Sequence, residues 1–501
     1  MAEPGTRPRL SLIEAIIPVA SLIVLVGLSY YLFRDGGAYG PNQVAMVVAT
    51  MIAVFLGWRH GYTLHELNDA AVASVSSGLG AIFILFAVGS LIGTWAMSGT
   101  LVAMVYYGLE ILNPNYFYVS AAAIAGVISF GIGSSWTVVG TVGIGLMGIS
   151  SAMGLDPAIT AGAIISGAYF GDTTSPLSDS ANLAAGVGNV NLYAHIRRTG
   201  LISAIALVIA CCVFWFIGGA GDSDPSYKMA TLDSDFHISL VLFLPLAIVI
   251  ALALLKVRPF TTIFLGALAG GVMAVVVAPE RVQAFADADR HVPDWLAQVK
   301  GVWAALAKGY VSTTGHPMVD QLATRGGMES MLPTIWLVMA AFAFGGVAEK
   351  IGALDRLITP IVGAAKTTGT LVTMLVVSIL ATSIATADQY LAIVLPGRMF
   401  KRAFQDRGHP PVLLTSSVGA AATPTSALIP WNSCGAYMAA TLGVATFSYA
   451  PYAIFNFVNP LLAIAVAFVG ANALQGHRSG FREKQSLTNG GIDEQSRDSG
   501  I

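Results

Sequence analysis

Charge is scarce in this sequence: only 10% of its 501 residues are charged, whereas 55% are hydrophobic. Water-soluble domains usually carry about 25% charged residues, so the composition excludes an ordinary soluble domain. Membrane lipid is therefore the expected partner. The formal net charge of −2 lacks the basic excess that binding to nucleic acid needs, and no nucleic-acid partner is predicted. Association into a homo-oligomer is left open.

Cysteine is scarce as well, with three residues in the whole sequence. Cys211 and Cys212 are adjacent, and adjacent cysteines rarely form a disulfide with each other. Cys434 lies far away in another apolar segment. This pattern excludes a disulfide framework and a zinc site, and it leaves the three as small hydrophobic residues. A Walker-type Gly-Lys-Ser/Thr element is missing too, which argues against ATP-driven pumping by this chain. No cofactor is predicted.

Long apolar runs are what the sequence does have, and they predict membrane helices. The predicted fold class is an all-α polytopic membrane protein with about 11–14 membrane segments, some of them broken helices or re-entrant hairpins. Eight runs are long enough to cross the membrane, two are shorter, and four are long but interrupted by polar or helix-breaking residues. In that order they are residues 12–33, 43–58, 70–97, 199–220, 238–255, 261–278, 331–348 and 453–471; 101–112 and 351–365; 116–150, 159–190, 369–396 and 411–440.

The two halves of the chain resemble each other. Gly99-Thr100-Leu101 matches Gly352-Ala353-Leu354, and Ser135 falls opposite Asp388, both at a spacing of 253 residues (352 − 99 and 388 − 135). The order of long, short and interrupted runs also recurs. Basic residues follow the first interrupted run of the second half but not that of the first half, and cytoplasmic loops favour Lys and Arg. The sequence therefore predicts two inverted repeats.

This prediction divides the chain into five parts. Residues 1–40 form a cytoplasmic N-terminus with an extra first span, and 41–220 form the first inverted repeat. Residues 221–258 form an external loop with a connecting span, 259–472 the second repeat, and 473–501 a polar cytoplasmic tail. Both termini are thus predicted to be cytoplasmic.

Three aspartates stand alone in the interrupted runs. Asp172 and Asp179 are the only charged residues between Asp156 and Arg197, and Asp388 is the only one between residues 366 and 398. A charge near the bilayer centre costs at least roughly 3 kcal/mol, so such carboxylates are expected to face a cavity, a proton or a cation. The alternative is that they only cap helices, and that alternative is stronger for Asp172 and Asp179 than for Asp388.

Each interruption also places small polar residues where a continuous helix would have Leu or Val. Non-helical backbone at membrane depth survives only when it is buried in protein or lines water. Paired broken helices in inverted repeats usually mark the binding site of a secondary transporter. The predicted cation ligands are Asp388 and Asp172, and the further candidates for the site are Asp179, Ser135, Thr137, Ser175, Asn182, Thr386, Thr425, Ser426 and Asn432.

The motifs at these interruptions resemble those of the NhaC family of Na⁺/H⁺ antiporters. The matching segments are residues 171–179 with 182–184, 193–197, 325–328 with 330–331, 388–399 and 428–435, within a resemblance from about Gln43 to Gly470. The resemblance implies a bacterial plasma-membrane antiporter that exchanges Na⁺ for H⁺. It also implies two inverted repeats with broken helices, as in the wider ion-transporter superfamily. A related branch exchanges lactate and malate with coupled Na⁺ and H⁺.

The predicted mechanism is competition between Na⁺ and H⁺ at a buried carboxylate. Desolvation disfavours the charged form of a buried carboxylate, whereas a bound cation favours it, so one group holds one ion at a time. Asp388 is the first choice for this shared carboxylate, assisted by Asp172 and Asp179.

The sequence also bears on two other functions. Coupled exchange of a small carboxylate is the alternative transport function, because helix N-termini at the interruptions could hold an anion. An enzyme is not predicted. Gly133-Ser134-Ser135-Trp136 superficially resembles a serine-protease nucleophile, but no histidine lies in the middle of a span to activate it.

Overall fold

The computed structural model describes residues 10–33, 36–37, 40–218, 229, 231–232, 236, 238–287, 292–364 and 367–469. Within these ranges the chain is almost entirely helical, and its only β-type pairing is an isolated bridge between Tyr310 and Arg325. Residues 1–9 of the predicted N-terminal part and the whole predicted tail at 473–501 lie outside the described residues.

Ten helices are found in the described residues of the first half of the chain. One of them, the helix that begins at Ser135, contains a π-helical turn at Val139–Gly143. The helices are α1 (Leu12–Phe33), α2 (Pro41–Arg59), α3 (Leu64–Ser77), α4 (Leu79–Ser98), α5 (Thr100–Ile111), α6 (Phe117–Ile132), α7 (Ser135–Ala152), α8 (Pro157–Thr174), α9 (Asp179–Val187) and α10 (Leu192–Ile217).

Thirteen helices follow in the described part of the second half. They are α11 (Leu244–Leu254), α12 (Pro259–Val277), α13 (Pro279–Ala286), α14 (Asp294–Lys308), α15 (Pro317–Ala323), α16 (Leu332–Lys350), α17 (Ala353–Ala364), α18 (Thr368–Thr386), α19 (Gln389–Asp406), α20 (Pro411–Ser426), α21 (Ser433–Leu442), α22 (Thr446–Tyr449) and α23 (Ile454–Val469). Short 3₁₀ segments precede α11, α16 and α23.

The prediction of an all-α polytopic membrane protein is confirmed. Nine helices in the described part of the chain are long and apolar enough to cross a membrane, and α22 with α23 forms a tenth such segment, bent by 55°. Two shorter apolar helices, Thr100–Ile111 and Leu240–Leu254, stand beside them. One predicted span is subdivided, because the run 70–97 is broken at Gly78 between α3 and α4.

The order of helices and breaks recurs along the chain at a spacing of 254 residues. Gly133, which ends α6, and Ala387, which ends α18, both have left-handed backbone (387 − 133). α8 and α20 both begin at a proline, Pro157 and Pro411 (411 − 157). The spacing at the breaks is thus one residue longer than the 253 predicted from the sequence. The opposite membrane orientation of the two repeats and the five-part division stay predictions.

Glycines allow the broken helices to pack closely. A Cβ atom added at Gly167 would overlap the backbone of Ala122, and one at Gly171 would overlap the backbone of Ser129 and Phe130. α6 and α8 therefore approach backbone to backbone, and the Ser129 hydroxyl donates to the Ala168 carbonyl at 2.5 Å. Such contacts between small residues are what membrane helices use for tight association.

Candidate ion-binding site

The four predicted interruptions are all helix breaks in the structure. The first lies at Gly133–Ser134 between α6 and α7, and the second at residues 175–178 between α8 and α9. The third lies at Ala387–Asp388 between α18 and α19, and the fourth at residues 427–432 between α20 and α21. The helix after each break begins with a polar cap, namely Ser134, Ser178, Asp388 and Asn432.

The first two breaks meet at the carboxylate of Asp172. One carboxylate oxygen accepts hydrogen bonds from the hydroxyl of Ser135 at 2.6 Å and from its backbone N–H at 3.4 Å. The other accepts from the hydroxyls of Ser178 at 2.7 Å and Ser180 at 3.0 Å. Asp172 is 7% exposed and the three serines are buried. We call these four residues the Asp172 cluster.

Gly133 makes this meeting of two breaks sterically possible. Its φ of 79° lies in the left-handed region that favours glycine. A Cβ atom there would also overlap the backbone of Leu177 and Ser178. The chain therefore turns sharply after α6 and brings Ser135 within reach of the opposite break. The position of Ser135 beside Asp172 depends on that glycine.

Hydroxyl groups give the Asp172 cluster chemical flexibility. Each serine hydroxyl is both a donor and an acceptor, so it can donate to an ionised carboxylate and accept from a protonated one. After rotation it can also present a lone pair to a cation. Carboxylate and hydroxyl oxygens are hard ligands of the kind that alkali and alkaline-earth cations prefer. One cage can thus hold a bare carboxylate, a protonated one, or a carboxylate with a small cation.

The third and fourth breaks also meet, through neutral groups. The Ser433 N–H donates to the Ala387 carbonyl at 2.9 Å, and the Trp431 indole N–H donates to the Ile384 carbonyl at 2.8 Å. The Asn432 amide donates to the carbonyl of Ser383 at 3.2 Å and to its hydroxyl at 3.0 Å. These bonds satisfy backbone groups that the broken helix α18 leaves free, as burial requires.

The other two aspartates occupy different surroundings. Asp388 is half-buried and caps α19, where its carboxylate accepts from the Tyr390 backbone N–H at 2.6 Å. Asp179 is exposed and is the first residue of α9. Neither has a hydroxyl cage like that of Asp172. Capping, weighed above as the alternative for these residues, describes the local geometry of Asp388.

The remaining candidates differ in what they contact. Thr386 and Thr425 donate mainly to carbonyls four residues earlier in their own helices, a common arrangement for threonine in membrane helices. The others bond at their breaks: Thr137 to the Ser134 hydroxyl, Ser175 to the Leu177 N–H, Asn182 to the Ser178 carbonyl, and Ser426 to Gln389 and to the Thr423 carbonyl. Asn182 is exposed, whereas the other three side chains in this second group are buried.

Aromatic residues join the two pairs of breaks. The rings of Trp136 and Tyr437 are stacked at a centroid distance of 4.1 Å, and the Tyr437 hydroxyl donates to the Trp136 carbonyl at 2.8 Å. The two pairs of breaks therefore lie side by side in one buried region.

Several residues of this region are absent from the candidates that the sequence predicts. Ser178 and Ser180 flank Asp179, and their spacing of two around a helix start was the available signal. Gln389 follows Asp388 directly, and Cys434, interpreted above as a small hydrophobic residue, donates its thiol hydrogen to the Gln389 side-chain oxygen at 2.9 Å. No sequence pattern distinguishes a cysteine whose thiol donates a hydrogen bond from one that only packs as a small hydrophobic residue.

The left-handed residues at the breaks give a test of this backbone geometry. Ala387 has φ 58°, and left-handed backbone costs a non-glycine residue roughly 1–2 kcal/mol. Ala387→Gly is therefore expected to leave thermal stability unchanged or to raise it by up to about 1 kcal/mol, since glycine costs about as much in unfolded-state entropy. Gly133→Ala is expected to destabilise by at least about 1 kcal/mol. Unfolding temperatures in detergent would show this contrast, and equal stability of the two variants would contradict it.

A helical membrane protein with paired broken helices around a buried, hydroxyl-caged carboxylate has the architecture of a secondary transporter. The family profile described as the Na⁺/H⁺ antiporter family matches residues 167–471. The Na⁺/H⁺ antiporter NhaC of Alkalihalophilus pseudofirmus is 35% identical over 452 residues, covering 89% of this chain and 92% of that protein. The chain belongs to the Na⁺/H⁺ antiporter family, which confirms the resemblance found in its motifs.

Relatives of similar identity carry different names. The malate-2H⁺/Na⁺-lactate antiporter of Bacillus subtilis is 34% identical over 468 residues, covering 92% of this chain and 95% of that protein. The arginine/ornithine antiporter ArcD of Halobacterium salinarum is 32% identical over 478 residues, covering 93% of each chain. Antiport is common to these names, while the exchanged solutes differ.

Proposed function

We propose that this protein is a secondary antiporter that exchanges cytoplasmic Na⁺ for external H⁺ by competition at Asp172. The observation that carries the proposal is the cage around the Asp172 carboxylate, built from three serine hydroxyls and one backbone N–H on both sides of two helix breaks. Membership of the Na⁺/H⁺ antiporter family supports Na⁺ and H⁺ as the exchanged ions. A bacterial plasma-membrane location with both termini cytoplasmic, and function without a bound cofactor, belong to the same proposal.

Competition follows from the chemistry of a buried carboxylate. Ionised Asp172 accepts four hydrogen bonds, so its charge is compensated without any basic residue. A proton neutralises the group, whereas Na⁺ is attracted only to the ionised form. The two ions therefore exclude each other at one carboxylate. If only the protonated and the Na⁺-loaded protein reorient across the membrane, each Na⁺ released on one side is replaced by a proton.

Asp172 is favoured over Asp388 as the shared carboxylate for a geometric reason. Asp388 accepts from a backbone N–H, which can only donate and so favours the ionised form. The hydroxyls around Asp172 support all three states. In this proposal Asp388 raises the local concentration of cations beside the Asp172 cluster, because a half-buried carboxylate attracts positive ions.

Competition predicts how Na⁺ affinity depends on pH. In vesicles with the purified protein and a pH-sensitive dye, the apparent KM for Na⁺ is expected to fall as the pH at the Na⁺-loading face is raised. It should change about tenfold per pH unit while protons occupy the carboxylate, since each tenfold change in proton concentration is compensated by an equal change in Na⁺. A KM for Na⁺ that is independent of pH, with only the maximal rate changing, would contradict competition.

Na⁺- or H⁺-coupled exchange of a small carboxylate is the second candidate. It is favoured by the similarity to the malate-2H⁺/Na⁺-lactate antiporter. The backbone N–H at the start of α7 already donates to a carboxylate, that of Asp172. Uptake of labelled lactate or malate against a Na⁺ gradient separates the two functions. Uptake that depends on Na⁺ would support the second candidate, and Na⁺-dependent proton movement without any carboxylate would support the first.

A further inference from the structure

The helix breaks recur at a spacing of 254 residues, so side chains at equivalent positions can be compared. Ser135 corresponds to Gln389 (389 − 135), Asp172 to Ser426 (426 − 172), and Ser180 to Cys434 (434 − 180). The first member of each pair belongs to the Asp172 cluster. We call the second members, Gln389, Ser426 and Cys434, the Gln389 cluster.

The Gln389 cluster repeats the hydrogen-bond arrangement of the Asp172 cluster. The Ser426 hydroxyl donates to the Gln389 side-chain oxygen at 3.1 Å, just as the Ser135 hydroxyl donates to Asp172. The Cys434 thiol donates to the same Gln389 oxygen at 2.9 Å, at the position from which Ser180 donates to Asp172. All three side chains are buried. Each cluster thus has one side chain, Asp172 or Gln389, whose oxygen accepts hydrogen bonds from residues at two neighbouring helix breaks.

The two acceptors differ in charge. Asp172 can lose or gain a proton, whereas the carboxamide of Gln389 does neither and stays neutral. The position of the acceptor differs as well: Asp172 lies on the helix before the second break, whereas Gln389 lies on the helix after the third. The second repeat therefore keeps the polar architecture of the first but has no titratable carboxylate at that place.

Tyr169 lies between the two clusters. It is fully buried on α8, one turn before Asp172. Cys434 and Ser426 lie beside its hydroxyl, but that hydroxyl forms no hydrogen bond of good geometry. A buried hydroxyl without a satisfied bond is costly in a membrane protein and calls for a partner such as a bound ion or water.

We propose that the Gln389 cluster is the uncharged half of the transport site, and that Gln389 and Ser426 prevent it from exchanging a second proton. This inference rests on the proposed function, because it assumes that Asp172 is the charged half. The ligand class is a hydrated or partly dehydrated monovalent cation, contacted through the oxygens of Gln389, Ser426 and Tyr169. The competing interpretation is a structural cluster that only ties α19, α20 and α21 together.

Moving the carboxylate from one half to the other tests the proposal. The double variant Ser135→Gln with Asp172→Ser makes both halves neutral and is expected to lose Na⁺-dependent proton movement. Adding Gln389→Ser and Ser426→Asp gives the second repeat the pair that the first repeat has lost. This fourfold variant is expected to regain at least about a tenth of the wild-type rate. A folded fourfold variant that stays as inactive as the double variant would overturn the proposal.

A second measurement covers the case in which the fourfold variant does not fold. In the full-length protein with Cys211→Ala and Cys212→Ala, Cys434 is the single cysteine. Its modification by N-ethylmaleimide is expected to slow at least threefold when Na⁺ is raised through the KM for transport, with choline as the control cation. Modification at the same rate in Na⁺ and choline, or none in either, would overturn the proposal. Loss of exchange in Asp172→Asn tests the proposed function separately.

Discussion

Asp172→Asn is expected to abolish Na⁺-dependent proton movement, with a loss of at least about 100-fold. The asparagine amide is nearly the same size as the carboxylic acid, but it can neither release a proton nor attract Na⁺ by charge. The serine hydroxyls can donate to its oxygen or accept from its NH₂ group, so the fold should be kept. Proton movement after a Na⁺ pulse into dye-loaded vesicles measures the effect.

Two further variants make this result interpretable. Asp156→Asn removes an exposed carboxylate that caps α8, where asparagine caps as well as aspartate, and it is expected to transport normally. Asp388→Asn likewise keeps a good cap, so any change in transport reports the charge alone. It is expected to raise the KM for Na⁺ severalfold and to leave exchange intact. Should Asp172→Asn exchange Na⁺ for H⁺ at the wild-type rate, the competition mechanism would be wrong.

Gly171→Ala is expected to have the second largest effect, through packing. The added methyl group would overlap the backbone of Ser129 and Phe130 on α6. Backbone cannot move aside as a flexible side chain can, so we expect a destabilisation of about 1–3 kcal/mol. Because Asp172 is the next residue, a shift of α8 would also separate its carboxylate from Ser135. Thermal unfolding and transport should therefore both decline.

Gly186→Ala is the matched control for this substitution. Gly186 is exposed on α9, and a Cβ atom there would have no neighbour within 4 Å. Alanine is the better helix former by about 1 kcal/mol, so this variant is expected to be as stable as the wild type or slightly more stable. If Gly171→Ala matched it in unfolding temperature, the close backbone contact between α6 and α8 would not exist.

Local chemistry in the sequence was sufficient to predict the helix breaks. Glycine, proline and small polar residues weaken a helix wherever they occur. The interruptions could therefore be located without contacts, within residues 130–137, 171–182, 382–388 and 423–432. Apolar runs give the membrane helices in the same way, because bilayer thickness fixes the length they need. The isolated carboxylates were also evident, since few residue types cost as much in lipid as aspartate.

Which carboxylate lies in the cage could not be predicted from those local patterns. The sequence favoured Asp388 because it is the most isolated charge, yet the hydroxyl cage surrounds Asp172. That cage joins Ser135 to a residue 37 positions later, and it forms because Gly133 turns the chain and Gly171 lets α8 approach α6. The same holds for Gln389 and Cys434, which are 45 residues apart.

By itself the sequence therefore determined that the protein lies in a membrane, which segments are helices and where those helices break. These features depend on the transfer energies and backbone preferences of residues that are neighbours in the chain. Only the tertiary structure decided which broken ends face each other. It thereby decided that Asp172 receives three hydroxyls while Asp388 caps a helix. Hydrogen bonds act over about 3 Å, so the surroundings of a carboxylate depend on how distant helices pack and not on its neighbours in the chain.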